Sequence, residues 1–430
     1  MAYAEKRVST AKGSKGKVTW RSRYKRPDGT WGSEAGFPTK KTAERWGEEQ
    51  ETAIRAGRWV DPELMRKHFG VWAREWMAAQ KPRGRTTINR WERLEAHILP
   101  QWEYTPLIAF NWFEVEAWAR TLTCHPSTTR KSVQIMSQIL TGAVDAQHLT
   151  VNPLHRRQLT GLASPETPKP TPVEQDDDIG DRVDAGDGVI ATPEEVLLIA
   201  RRLGPVVGLH LVTLAWTGMR FEELVGLRRP NALRRRRQRY DDGFFECPVI
   251  RVDKDTGAFV QYLVRGEDGR RRIFRGLEPP KNEQSARDID IPPFLEKLLR
   301  EHLDGWPHEH VFTRPTGVLW WRSHWCGVLR PAADGRDARP NARSKAGKEA
   351  WEPIKPGLTA RDLRKTHDSW QEEVGVKPVL GYEQMGHKYP GIKGTYRRPT
   401  PAMRKHRLEG LQLLFDRALA NLGWGSVWEK

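Results

Sequence analysis

The chain has 430 residues, enough for two or three domains with cores of their own, and its 72 Lys and Arg outnumber 55 Asp and Glu for a formal charge of +17. A surplus of that size fits a polyanionic partner, nucleic acid first, better than a neutral metabolite, though it serves as well to keep a basic protein dispersed. Three scattered cysteines (Cys124, Cys247, Cys326) exclude a disulfide framework or a zinc knuckle, MAYAEKRVSTAKGSKGK has no signal-peptide core, and no run approaches the ~18 apolar residues of a membrane span, which predicts a cytoplasmic protein with no membrane partner.

Residues 17 to 57 read as a small sheet-and-helix module. KVTWRSRYKR alternates as a strand, PDGT turns, WGSEAGF returns as a second strand, and KKTAERWGEEQETAIRAG follows as a helix capped by Thr39 and stopped at Gly57. Side chains alternate along a strand, so Val18, Trp20, Ser22 and Tyr24 share the face toward the helix while Thr19, Arg21, Arg23 and Lys25 share the other. That basic face either meets phosphates or keeps an edge strand soluble.

From about 65 to 154 the period turns helical. Phe69, Trp72, Ala73, Trp76 and Met77 make one buried face, Ile88, Trp91, Leu94 and Ile98 a second, and Val133, Met136, Ile139, Leu140 and Ala143 a third behind a cap at Ser127. These predict a four-helix domain closing near Asn152 and Pro153, with its aromatics in the core. The segment KPRGR supplies Lys81, Arg83 and Arg85 as the phosphate-contacting loop.

Between 155 and 190 the chain is rich in Pro, Gly and acid and reads as a linker, in which Asp176, Asp177 and Asp178 are a solvated run rather than metal ligands. A new domain opens at ATPEE, where Thr192 caps, Pro193 takes the first helical position and Glu195 completes a capping box. Strands are predicted through 245 to 290, and the run Arg234 to Arg237 falls in a connection between Leu227 and Tyr240, as a solvated loop or a DNA contact.

Four stretches of the last 220 residues gain meaning in order: TGMRFEELVGL around Arg220, PPKNEQSARDIDIPP around Lys281, TARDLRKTH around Arg364, and MGHKYPGIKGTY ending at Tyr396. Together they resemble the tyrosine recombinases, the phage-integrase family of site-specific DNA recombinases, and most of all the integrases of actinobacteria and their phages. The resemblance runs through about 190 to 415.

It implies a multidomain, mainly α protein with an α+β catalytic domain. Residues 1–62 would form a small β-sheet plus helix arm-site DNA-binding domain (AP2-like), 63–158 a helical core-site DNA-binding domain (SAM-like), 159–189 a linker, and 190–430 the catalytic domain with a C-terminal helix. Arg220 and Arg364 would clamp the scissile phosphate through guanidinium forks, with Glu223 positioning Arg220. Lys281, at a turn tip, would protonate the leaving 5′ oxygen, with Lys254 as its nearest competitor. His387 would hydrogen-bond the phosphate. Tyr396, nine residues on, would be the nucleophile, a spacing that Tyr382 and Tyr389 do not share.

One position departs from the pattern. The family's His-x-x-Arg is here Arg361-Asp362-Leu363-Arg364, so Arg361 becomes a third phosphate contact and the general base is left unassigned, His367 being a packing residue off the required spacing. The resemblance implies no metal and no cofactor. The partners it implies are double-stranded DNA at core and arm attachment sites, a homo-tetramer on that DNA, and accessory DNA-bending or excisionase proteins, in a nucleoid-associated cytoplasmic location. Its rivals are a Xer-like resolvase of the same chemistry and a catalytically inactive DNA-binding regulator.

Overall fold

Alternation along KVTWRSRYK does produce a strand. In the computed structural model, β1 (Tyr3–Val8), β2 (Val18–Lys25) and β3 (Trp31–Phe37) form an antiparallel sheet in that order, covered by α1 (Lys40–Arg55). Ser22 and Tyr24 are buried under the helix, where the Tyr24 ring meets Trp46 edge-on at 5.5 Å. Gly47 lets the two layers close: a Cβ there would stand 2.6 Å from Ser22 Oγ. Thr39 caps α1, as its sequence predicts. The strand β1 was not anticipated; it is short and charged, and gains its place by backbone pairing with β2 from Tyr3 opposite Arg23 to Val8 opposite Val18.

The structure describes residues 2–8, 17–80, 84–162, 189–265, 270–338, 349–391 and 396–428. The chain divides into two compact units, residues 1–182 and 183–430. Most of the expected linker, from 163 to 188, lies outside the described residues, and Asp176, Asp177 and Asp178 lie there with it.

The rest of the first unit is helical: α2 (Pro62–Met65), α3 (Phe69–Ala79), α4 (Gly84–Arg93), which runs through a π turn at Leu94–Ile98 into α5 (Leu99–Trp102), then α6 (Trp112–Thr121) and α7 (Pro126–Asp145). Phe69, Trp72, Leu94, Ile98, Met136 and Ile139 meet in one core, and the Trp72 indole donates to Ile139 O at 2.9 Å. The cap of α7 is His125, not Ser127: its Nδ1 accepts the Ser127 N–H at 3.2 Å, and Pro126 takes the first helical position. Asn152 closes the bundle by donating to Ser137 O and Thr141 Oγ1.

The second unit is built on α8 (Pro193–Thr217), which opens with the Thr192–Glu195 capping box. This helix is long and apolar enough in composition to cross a membrane, contrary to the expectation that no such run exists, but it lies in the core, with Leu209, Leu211, Val212, Leu214 and Trp216 buried. It is followed by α9 (Phe221–Val225), β4 (Arg234–Tyr240), β5 (Gly243–Val252), β6 (Ala258–Arg265), β7 (Arg271–Glu278) and β8 (Arg287–Asp290). The sheet order is β4-β5-β8, and β6 and β7 form a separate ribbon. The helices α10 (Pro293–Asp304), α11 (Arg322–Asp334), α12 (Ala360–Glu373), α13 (Pro378–Met385) and α14 (Pro401–Leu422) complete it.

Arg234 to Arg237 are therefore a strand and not a loop. An edge strand needs only backbone partners on one side, which β5 supplies from Val249 to Gly243, and Arg236 turns inward to a buried carboxylate at Asp290.

Candidate active site

Two glycines bring the site together. Gly218 ends α8 with φ +63°, and a Cβ there would stand 2.6 Å from His367 Cδ2 and 2.8 Å from Met385 Sδ. Gly386 ends α13 with φ +63°, and its Cβ would stand 3.0 Å from Arg287 Nη1. Both positions need a left-handed backbone and no side chain. In return the bare chain ends come within reach of Arg364 on α12, which donates to Gly218 O and to Met385 O and, through Nη2, to His387 Nε2 at 3.1 Å.

Arg220 begins α9 and is held by Glu223 twice: its backbone N–H donates to Oε2 at 3.0 Å and its Nη1 to Oε1 at 2.7 Å. Glu223 is 2% exposed and takes a second guanidinium, that of Arg287 on β8, at 3.1–3.2 Å to both oxygens. Arg287 in turn donates to Gln384 O at 2.7 Å and to Ser285 O at 2.8 Å, tying β8 to α13. Sequence reasoning named Glu223 as a partner for Arg220 but missed Arg287. The signal was available: an arginine in a strand of core pattern, RDIDIPP, must find a buried anion.

Two guanidiniums thus share one carboxylate, and a third, that of Arg364, acts on it through charge. Burial pushes the Glu223 carboxyl up, but Arg287, Arg220 and Arg364 outweigh it and hold it down to about 2. Burial first, then the Arg220 guanidinium, lowers Arg364 to about 9, so it stays charged at neutral pH. Burial and then Arg364, Arg220 and Arg287 lower His387 to about 4, so its imidazole is neutral there, although its outer edge reaches solvent. With Nε2 accepting from Arg364, the neutral ring carries its proton on Nδ1 and has one N–H to donate.

Lys281 is exposed and sits three residues beyond the end of β7, not at a strand-turn tip as expected. The described strands pair from Ala258 opposite Glu278 outward to Arg265 opposite Arg271, so Lys281 is at the base of the ribbon. A 3-10 turn, Glu283–Ser285, fixes it there: Asn282 Oδ1 accepts Ser285 N–H at 3.0 Å and Oγ–H at 2.6 Å, and Ser285 Oγ accepts Arg220 Nη1 at 3.0 Å. The competitor Lys254 is exposed on the β5–β6 turn, 3.9 Å from Asp255.

Arg361 is exposed on the first turn of α12, three residues before Arg364. His367 is fully buried, its ring nitrogen 3.0 Å from Ala215 O, which is the packing role its spacing predicts. Tyr396 is 81% exposed and makes no hydrogen bond among the described residues, so the structure does not bring the phenol onto the arginine cluster. Tyr389 accepts from Arg397 at 3.0 Å, beside Tyr396 in sequence. Among the described residues no three His, Cys, Asp or Glu side chains converge as metal ligands.

In the first unit Arg21, Arg23 and Lys25 lie on the sheet face away from α1, across from Glu5, Tyr3 and Trp31 respectively. Arg23 pairs with Glu5 at 3.3 Å, and the Lys25 ammonium lies 5.9 Å from the Trp31 ring centre. Lys81 and Arg83 lie outside the described residues, and Arg85 falls in the first turn of α4.

No family model matches the chain. It is similar to the integrase of Mycobacterium phage D29, with 22% identity over 375 residues, 85% of this chain and 86% of the relative. It is 23% identical over 384 residues to the putative prophage phiRv2 integrase of Mycobacterium tuberculosis, covering 88% of each. Among solved structures, the Tn1549 transposon integrase in complex with a circular intermediate DNA aligns with a TM-score of 0.50 at 16% identity, covering 80% of this chain and 99% of that one. The chain is thus similar to phage and prophage integrases along more than four-fifths of its length and shares the fold of a transposon integrase.

Proposed function

We propose that this protein is a site-specific DNA recombinase that cuts and rejoins DNA at the attachment sites of a phage or mobile element through a 3′-phosphotyrosyl intermediate. The observation that carries the reading is the charge imbalance of the cluster: three guanidiniums, Arg220, Arg287 and Arg364, stand against two carboxylates, Glu223 among them and Asp368 near Arg364, beside a neutral His387. A phosphodiester brings the missing negative charge, and more of it as the pentavalent transition state forms.

In this reading Arg220 and Arg364 hold the non-bridging oxygens, His387 donates its Nδ1–H to one of them, and Arg361 adds a further donor. The Tyr396 oxygen attacks phosphorus, the bond to the 5′ oxygen breaks, and Lys281 gives that oxygen its proton. The phosphotyrosyl bond keeps the energy of the broken ester, so a 5′ hydroxyl of a partner strand reverses the step and joins new ends without a nucleotide cofactor. A guanidinium at Arg361 offers N–H donors and no acceptor, so it takes no proton from the phenol.

Residues 1–62 would serve as the arm-site domain through the face of Arg21, Arg23 and Lys25, residues 63–158 as the core-site domain with Lys81, Arg83 and Arg85, and 190–430 as the catalytic domain. A homo-tetramer on DNA, accessory bending or excisionase proteins and a nucleoid-associated location belong to the same proposal. A catalytically inactive DNA-binding regulator is the second reading, favoured by Arg361 and by the exposure of Tyr396.

The test is a denaturing gel of nicked attachment-site DNA, taken from the flanks of the gene, with wild type and Tyr396→Phe. A covalent adduct from wild type alone supports recombination and the nucleophile together. Adduct that persists in Tyr396→Phe rejects Tyr396, and tight binding without adduct in either supports the regulator.

A further inference from the structure

A second ionic group, which the chemistry above does not use, gathers on Asp290 at the end of β8. The carboxylate is fully buried and holds three arginines: Arg236 Nε on Oδ1 at 2.6 Å, and Arg404 and Arg407 on Oδ2 at 2.9 and 2.7 Å. Arg404 has a second arm, which reaches Glu383 Oε1 at 2.7 Å.

The sequence positions of these groups matter more than their number. Glu383 lies in the last turn of α13, immediately before Gln384 and Met385, whose carbonyls accept Arg287 and Arg364. Arg404 lies in the first turn of α14. The chain between them carries both His387 and Tyr396. One guanidinium therefore joins the two ends of the nucleophile's segment, and its other arm anchors them to β8, three residues from Arg287.

Adhesion alone is a poor reason for such a knot. Buried ion pairs hold elements together no better than apolar residues of similar volume, and Arg407 leaves Nε and Nη1 without a hydrogen-bond partner. What a guanidinium supplies and a leucine does not is direction, because its planar fork fixes two carboxylates at set angles. Direction is what a loop delivering a nucleophile needs, since misplacement by about 1 Å costs on the order of a hundredfold in rate.

We propose that Arg404 is a positioning residue for the nucleophile: its bridge from Glu383 to Asp290 sets where the segment between α13 and α14 delivers the Tyr396 phenol relative to Arg220, Arg364 and His387. The inference rests on Tyr396 being the nucleophile. It also assigns the knot to the loop and not to the phosphate clamp, and these two roles separate experimentally.

The experiment uses the full chain and nicked attachment-site DNA, comparing wild type with Glu383→Gln and Arg404→Lys. Glu383→Gln removes one arm at a carboxylate that is 35% exposed, and so spares the buried Asp290 pair; Arg404→Lys keeps the charge but loses the two-armed fork. Two rates are read. The first is covalent adduct formation. The second is strand cleavage by added hydrogen peroxide in the Tyr396→Phe background, where a hydroperoxide oxygen attacks phosphorus, the bond to the 5′ oxygen breaks and that oxygen takes up a proton, so only the phosphate clamp is needed.

The expected result is an adduct rate lower by about ten- to a hundredfold in both variants, with DNA affinity unchanged and peroxide cleavage equal to that of Tyr396→Phe alone. An adduct rate within about twofold of wild type overturns the proposal, as does peroxide cleavage that falls in parallel, which would make the knot a support of the clamp. Wild type that forms no adduct overturns the nucleophile reading first and the inference with it.

Discussion

Glu223 is the residue on which the arginine cluster depends. Buried and bonded to both Arg220 and Arg287, it is the anion that lets three guanidiniums approach one another before any DNA is present. Glu223→Gln keeps the shape and removes the charge, which leaves buried cations uncompensated; a loss of about 3–5 kcal/mol in denaturant unfolding is expected. Sulfate in the buffer should restore more stability to this variant than to wild type, because an anion in the phosphate position replaces the missing charge. An equal sulfate effect on both proteins would count against an anion site there. Gly386 makes a second case. Alanine would place a Cβ 3.0 Å from Arg287 Nη1 at φ +63°, so Gly386→Ala should cost about 1–2 kcal/mol from the backbone alone. It should also lower adduct formation more than that stability loss accounts for, since His387 is the next residue.

The helices were largely readable from spacing and caps, and for one reason: their faces are apolar and their ends are chemically marked. The stripe through Met136 is buried throughout, those through Phe69 and Leu94 are buried except at the half-buried Trp76, Ile88 and Trp91, and Thr39 and Thr192 each cap the helix that follows them. What the pattern missed is held by other forces. β1 and β4 are charged strands whose place comes from backbone pairing, and β8 carries Arg287 and Asp290 inward because buried partners 64 and 114 residues away in the chain meet them. Lys281 lies at the base of the ribbon and not at a turn tip, since its location depends on the Asn282–Ser285 turn and that on Arg220. The order Arg220, Lys281, Arg364, His387, Tyr396 was legible as a family pattern, whereas the delivery of Tyr396 to the cluster was not, and the structure leaves that phenol exposed. An element-level test follows from α12, which presents Arg361 and Arg364 from its first turns. Its Thr359 Oγ1 accepts the Asp362 N–H at 3.2 Å and donates to Asp362 Oδ2 at 2.6 Å. Thr359→Ala should cost about 1 kcal/mol of stability and fray the turn that holds Arg361, visible as faster amide exchange confined to the start of α12.

Taken whole, the second unit stores neutral histidines where water does not reach. His210 lies against Phe312 and Trp325, and His367 lies under Gly218; burial lowers both to about 3. In the unfolded chain each returns to the ordinary range near 6.5, so between about pH 6.5 and 3 the unfolded state binds more protons than the folded one. Stability contributed by the two groups is therefore complete above pH 6.5 and is lost as the pH falls, at up to about 1.4 kcal/mol per pH unit for each. Glu223 acts in the same direction lower down: with its folded value depressed to about 2, its contribution is present above the ordinary carboxylate range and disappears as the pH drops toward 2. Thermal unfolding midpoints measured from pH 7 to pH 4 should fall steadily, and His210→Phe should flatten that fall by removing one of the protons taken up on unfolding, while the ring-filled site keeps the midpoint at pH 7 near that of wild type. A slope unchanged by His210→Phe would mean that the buried imidazole is not the group being titrated.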